Sequence, residues 1–326
     1  MASATTPFFG KILLFGEYSL MRGSAALVLP FSRNYVELLF PDASLSASEA
    51  RIARNSNKQL QAFMDYLQNK NGETITGLTF EQMKEDLANG LYLWSNIPSG
   101  YGLGSSGALV AAIYHRYRED GLAGTVEKQA GDEIIPPEKL DALKSTFARM
   151  EAFFHGASSG LDPLSSYVNK PILVDHQQSI SVVTHKLKSC SKNGGFFLLD
   201  TRRPRNTKPL VKAFHSKCQN KDFLDMLNEE YIPLNNACIN AVLHYDKNLY
   251  ERMHRLSDLQ LKHFKEMIPE AFLLPWAQGL SSGKYALKLC GAGGGGFLLG
   301  YTDDYENVTL GMSNLEQNII QLNDYL

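Results

Sequence analysis

Residues 98 to 108 read PSGYGLGSSGA and run directly into the apolar stretch Leu109 to Tyr114. Few local structures accept that order. Glycines at 100, 102, 104 and 107 admit positive φ and close backbone approach, while Ser105 and Ser106 fall where a helix presents its first unpaired N–H groups and the positive end of its dipole. The segment predicts a glycine-rich loop that opens a helix, either as a cradle for a phosphate-like anion or as a plain strand-to-helix turn. Gly102, Gly104 and Gly107 also satisfy GxGxxG. However, the strand with a terminal acidic residue that should follow about twenty positions later is missing, and no GxxxxGK[ST] occurs.

Composition narrows the choice of ligand. The chain has 326 residues, 44% hydrophobic and 20% charged, which is enough for two ordinary globular domains. Its 32 basic and 34 acidic residues leave a net charge of −2 and supply no field for nucleic acid or an anionic membrane, so any phosphate recognition must be local. Cys190, Cys218, Cys238 and Cys290 lie far apart, without a CxxC pair, and read as reduced thiols rather than a zinc site or disulfide framework. The first residues lack a charged leader, and no apolar run approaches the length of a membrane span. A soluble cytoplasmic protein is expected.

Strand and helix patterns alternate irregularly. Lys11 to Phe15, Ala25 to Pro30 and Tyr35 to Phe40 read as strands, Pro41 to Ser56 as a surface loop and Lys58 to Gln68 as a helix. Gly121 to Pro137 reads as a loop before a helix at about Glu138 to Phe154. Ser179 to Leu187 and Gly195 to Asp200 read as further strands, followed by helices between Thr207 and Met267 and a strand–loop–strand unit at Tyr285 to Tyr301. A boundary near 180 is expected, giving domains 1–180 and 181–326.

Two other segments carry chemistry. Gly291-Ala292-Gly293-Gly294-Gly295-Gly296 sits between apolar runs, and each glycine is about 0.5–1 kcal/mol less favourable than alanine inside a regular element. Close approach of backbone to a ligand or to the first loop explains such a run better than a hairpin turn does. In EAFFHGASSGLD, Glu151 closes a helical pattern and Asp162 follows a flexible SSG turn. Two carboxylates there could serve phosphoryl transfer, one as a hard metal ligand and one as a base, or could be a solvated helix end and a turn aspartate. His155 reads as a packed or capping residue, since no second ligand lies four residues on.

Taken in order, KILLFGEYSLMRGSAAL, PSGYGLGSSGA, the Glu151 and Asp162 pair, and KLCGAGGGGFLLG resemble the motifs of the GHMP kinase superfamily. Within it, the PRNT of residues 204–207 is similar to a segment of the mevalonate kinases. The resemblance implies an α+β fold: an N-terminal ATP-binding domain like domain 2 of ribosomal protein S5, and a ferredoxin-like C-terminal domain. It implies ATP and Mg²⁺ as cofactors and phosphorylation of the primary hydroxyl of mevalonate, a step toward isoprenoids.

Position by position, the resemblance implies that Pro98, Gly100, Gly102, Leu103, Gly104, Ser105, Ser106 and Gly107 wrap the ATP phosphates and that Ser106 and Glu151 bind Mg²⁺. Asp162 would be the catalytic acid/base, with Lys11 beside the reacting hydroxyl. Glu17, Tyr18, Arg205, Thr207, Gly293 and Gly294 would line or support the acceptor pocket. Two departures stand out: Tyr18 replaces a histidine usual in mevalonate kinases, and SSG replaces SSA in the phosphate loop. The expected partners are mevalonate and ATP, not nucleic acid or membrane, with a homodimer left open. The alternatives are another acceptor (phosphomevalonate, homoserine or a sugar), for which Arg202, Arg203, Arg205 and Lys208 supply a basic cluster, and a non-catalytic nucleotide-binding protein.

Overall fold

A computed structural model describes residues 6–69, 74–119, 135–187 and 191–323. Backbone packing divides the chain into two compact units that interleave in sequence. One takes Met1–Lys11, Pro30–Ile97 and Leu103–Lys170; the other takes Ile12–Leu29, Pro98–Gly102 and Pro171–Leu326.

The first unit contains the start of β1 (Phe8–Phe15), the end of β2 (Ala26–Leu39), α1 (Ala47–Asn69), α2 (Phe80–Ala88), β3 (Tyr92–Ser95), α3 (Ser105–Tyr117), α4 (Pro137–His155) and α5 (Leu161–Val168). β2 is one strand where two were expected. The side-chain amide of Asn96 carries its edge through the polar Arg33–Tyr35 stretch, accepting from the Tyr35 N–H at 2.7 Å and donating to the Arg33 carbonyl at 3.1 Å. Beyond that point Val36 to Leu39 pair antiparallel with β3. The expected loop at 41–56 ends early. Ser46 and Glu49 form a capping box, with the Ser46 N–H on Glu49 Oε2 at 2.8 Å and the Glu49 N–H on Ser46 Oγ at 3.3 Å, and the box starts α1 at Ala47. α3 buries residues all around its girth, from Gly107 and Ala108 to Val110, Ile113 and Tyr117, as a central helix must. Phe63 of α1, Met83 of α2, Phe147 and Met150 of α4 and Leu164 of α5 complete that core. Most of the expected loop at 121–137 lies outside the described residues.

In the second unit, Ala26 to Val28 of β2 pair with β4 (Ile172–Val174), which pairs with β5 (Ile180–Val182). The strand expected over 179–187 is thus only three residues long. β6 (Gly195–Asp200) precedes the helices α6 (Thr207–Lys217), α7 (Lys221–Met226), α8 (Ile232–Leu243), α9 (Leu249–His263) and α10 (Leu273–Ser282). Then come β7 (Ala286–Leu289), β8 (Phe297–Thr302), α11 (Tyr305–Gly311) and β9 (Ile319–Gln321). The antiparallel order β7-β8-β6-β9 places β8 and β6 centrally, where both faces are buried, which explains why Phe196 to Leu199 and Phe297 to Leu299 are continuous apolar runs. Cys218 and Cys238 are free thiols, Cys290 is buried, and Cys190 lies outside the described residues. Among the described residues no helix is long and apolar enough to cross a membrane.

Candidate active site

The first unit gathers one group of predicted residues around the start of α3. Gly104 precedes that helix with φ +72°, in the left-handed region that glycine enters freely, and no side chain caps the helix. The first N–H groups of a thirteen-residue helix thus lie beyond its internal ladder, next to its positive dipole end. Gly104 also permits a close approach: a Cβ there would stand 3.0 Å from Lys11 Cγ and 3.3 Å from Asp162 Oδ2. Lys11, on β1, donates its backbone N–H to the Leu103 carbonyl at 2.8 Å, and its Nζ lies 3.1 Å from Asp162 Oδ1. Asp162 sits in the first turn of α5, with its side chain 34% exposed against 10% for Lys11, so the carboxylate is the accessible member of the pair.

At the second residue of α3, Ser106 Oγ donates to Glu151 Oε1 at 2.8 Å, and Ser158 Oγ donates to Glu151 Oε2 at 2.5 Å. Glu151 reaches this point from the last full turn of α4 and is itself buried. Burial pushes its carboxyl above the ordinary glutamate value and the neighbouring Asp162 charge pushes further, while Ser158, Ser106 and His155 oppose both. A cation would relieve that like-charge repulsion. Among the described residues no cluster of three His, Cys, Asp or Glu side chains forms a protein cage for a metal. A hydroxyl and a carboxylate are two hard oxygen donors, which suits Mg²⁺ because that ion keeps several waters and takes phosphate oxygens as further ligands.

The second unit holds the other predicted group, together with Pro98, Gly100 and Gly102 of the first glycine loop. Arg205 donates its backbone N–H to the Gly100 carbonyl at 2.9 Å and Nη1 to the Cys290 carbonyl at 2.8 Å. Its guanidinium fills the space a Gly102 side chain would need, since a Cβ there would lie 1.7 Å from Nη2. Tyr18 adopts φ +57°, donates its hydroxyl to the Ala292 carbonyl at 2.6 Å, and stacks on Phe214 and Phe264 with ring centroids 4.8 and 5.8 Å away. Burial raises its phenol well above the ordinary range, and Glu266 and Glu17 add to the effect while Arg205 opposes it. The second glycine loop is further tied by the Gly294 N–H on the Met267 carbonyl and the Gly296 N–H on the Arg203 carbonyl, both at 2.7 Å.

Glu17 faces protein rather than solvent. It forms a wholly buried ion pair with Lys288, whose ammonium also donates to the Leu14 and Leu289 carbonyls at 3.0 and 2.8 Å and lies 5.2 Å from the centre of the Phe15 ring. Thr207 opens α6 at the surface and lines, with Val211, Lys212 and His215, an open hollow of about 540 Å³. Ser158 and Lys288 were assigned no role from the sequence, and His155, expected to be packed or capping, is instead exposed with its ring on the Ser106 hydroxyl. Ser158 and His155 both reach the Glu151 cluster, and the signal for His155 was its position four residues after Glu151, on the same helix face. For Lys288 the signal was a lysine inside an otherwise apolar strand.

Comparison with known proteins follows the same lines. The GHMP kinases N terminal domain matches residues 60–119. A mevalonate kinase of Thermococcus sibiricus is 29% identical over 172 residues, covering 48% of this chain and 47% of that protein. The chain therefore spans about half the length of the curated relatives it matches. Among solved structures, the L. major mevalonate kinase in complex with R-mevalonate superposes with a TM-score of 0.60 at 16% identity, over 98% of this chain and 95% of that one. The Streptococcus pneumoniae phosphomevalonate kinase in complex with phosphomevalonate and AMPPNP gives 0.61 at 16% identity, over 99% and 98%. At such identities the likeness shows the fold.

Proposed function

We propose, on the premise that this chain carries a GHMP kinase N-terminal domain in the α+β fold of that superfamily and is most like the mevalonate kinases, that it transfers the γ-phosphoryl group of ATP to the primary hydroxyl of mevalonate. One observation carries the reading: Lys11 with Asp162, and Ser106 with Glu151, converge within one unit at the uncapped start of α3.

In this reading the N–H groups of Gly104 to Gly107 hold ATP phosphate oxygens, as helix N-termini do. Mg²⁺, held by Ser106 and Glu151, supplies neutralisation of the phosphate charge when bound. Asp162 takes the acceptor proton while the new O–P bond forms and the bond from the γ-phosphorus to the ADP oxygen breaks. The proton cannot leave first. A free alcohol is a far weaker acid than a carboxylic acid, so complete proton transfer before the O–P bond forms is prohibitively uphill. In a loose transition state the hydroxyl becomes acidic as it bonds to phosphorus, so the transfer comes late. Lys11 orients the Asp162 carboxylate and adds positive charge beside the transferring group.

The acceptor is assigned to the second group. Arg205 offers donors to an anionic acceptor, Gly293 and Gly294 offer bare backbone, and Thr207 a hydroxyl. Tyr18 and the buried Glu17 support that wall rather than touch the acceptor, since the phenol is committed to Ala292 and the carboxylate to Lys288. A second reading, a phosphorylated acceptor such as phosphomevalonate, is favoured by the exposed Arg202, Arg203 and Lys208 flanking Arg205.

ADP release from Mg·ATP, with mevalonate, phosphomevalonate, homoserine and galactose offered separately, tests the proposal. Turnover on mevalonate alone supports it. Turnover only on another acceptor keeps the chemistry and replaces the substrate, and silence on all four with ATP bound would remove the reading.

A further inference from the structure

We infer that His155 is a positioning residue for the metal–nucleotide site, holding the Ser106 hydroxyl so that one lone pair stays directed at the cation; the inference rests on the reading of Ser106 and Glu151 as metal ligands. His155 Nε2 lies 3.0 Å from Ser106 Oγ. A hydroxyl has one proton and two lone pairs. The proton goes to Glu151 Oε1, so His155 must be the donor, and its N–H occupies one lone pair of Ser106. One lone pair remains. With both other directions fixed, rotation of the hydroxyl is stopped and the remaining lone pair has a single orientation.

The helix makes this possible. Glu151 and His155 are one turn apart at the end of α4, so their side chains leave the same face and meet the same hydroxyl from two sides. Glu151 approaches from the buried side and His155 from the exposed side. Neither Asp162 nor Lys11 makes a hydrogen bond to Ser106, so this contact separates the metal-binding half of the site from the proton-transferring half. Outer partners that orient a metal ligand are commonly worth about 10–100-fold in metal affinity.

The test titrates Mn²⁺ into the protein saturated with a non-hydrolysable ATP analogue and follows the free ion by electron paramagnetic resonance. His155→Ala should weaken Mn²⁺ binding about tenfold, and His155→Gln, whose amide N–H reaches a similar point, should restore most of it. Nucleotide affinity without metal should be unchanged in both. Ser106→Ala and Glu151→Gln report on the underlying reading. If they weaken Mn²⁺ binding while His155→Ala does not, His155 has no positioning role and the metal assignment stands. If neither weakens it, the metal assignment fails and the inference fails with it.

Discussion

Lys11 Nζ stands 3.1 Å from Asp162 Oδ1 across the bare backbone of Gly104, so a residue from the first strand and one from a helix 151 positions later meet at the mouth of the glycine loop. The pair joins a sheltered ammonium to an accessible carboxylate, and the predictions begin there.

Asp162→Asn keeps the shape of the carboxylate and removes its capacity to take a proton. Turnover should fall by about 10²–10⁴, while the affinity for ATP measured by calorimetry stays within about twofold. A parallel loss of nucleotide binding would sink the base assignment.

Glu151 carries a carboxyl raised by burial and by Asp162, so the native state binds its proton more readily than the unfolded chain does. Its ionisation therefore opposes folding, and that part of the stability is present below the unfolded value and lost as pH rises through the native one. Without metal, Glu151→Gln should melt higher than the unmodified protein near neutral pH, and the gap should close toward pH 4. Melting curves across that range check the sign; a gap that widens on acidification would contradict the site's electrostatics.

Lys288 and Glu17 are both wholly buried, and removing either strands the other. Lys288→Met alone should lower the unfolding free energy by about 3–5 kcal/mol, and Glu17→Gln combined with Lys288→Met should recover part of it. Urea titration of the two single variants and the double variant measures the coupling; additive losses would show the pair to be unimportant.

Tyr18→Phe deletes only the hydroxyl that holds the Ala292 carbonyl and leaves the aromatic stack with Phe214 and Phe264 in place. The loss should be about 0.5–1.5 kcal/mol. Because the bond tethers the second glycine loop, the acceptor KM should rise more than the ATP KM does, which steady-state kinetics on both substrates would reveal. Equal effects on the two would argue against an acceptor-side role for that loop.

Much of the local structure was legible. The glycine spacing and the apolar run after it announced α3, because positive φ and an opening helix leave few other choices for such a string. The start of α1 is written locally in Ser46 and Glu49, which spell a capping box inside a segment whose small polar residues otherwise favour a loop. The continuity of β2 was harder to see, since the edge of its polar middle is completed by Asn96, about sixty residues away in sequence.

By itself the sequence determined the short-range elements: two glycine loops, the helix each adjoins or lacks, and the order in which Lys11, Ser106, Glu151 and Asp162 occur. These follow from φ preferences, periodicity and caps, which act over a few residues. Only the tertiary structure decided that Glu17 is committed to Lys288, 271 residues on, that Tyr18 ties down Ala292, and that His155 turns toward Ser106 rather than into a core. Such pairings depend on which faces are buried together, and a polar side chain takes its partner from whatever burial brings within about 3 Å.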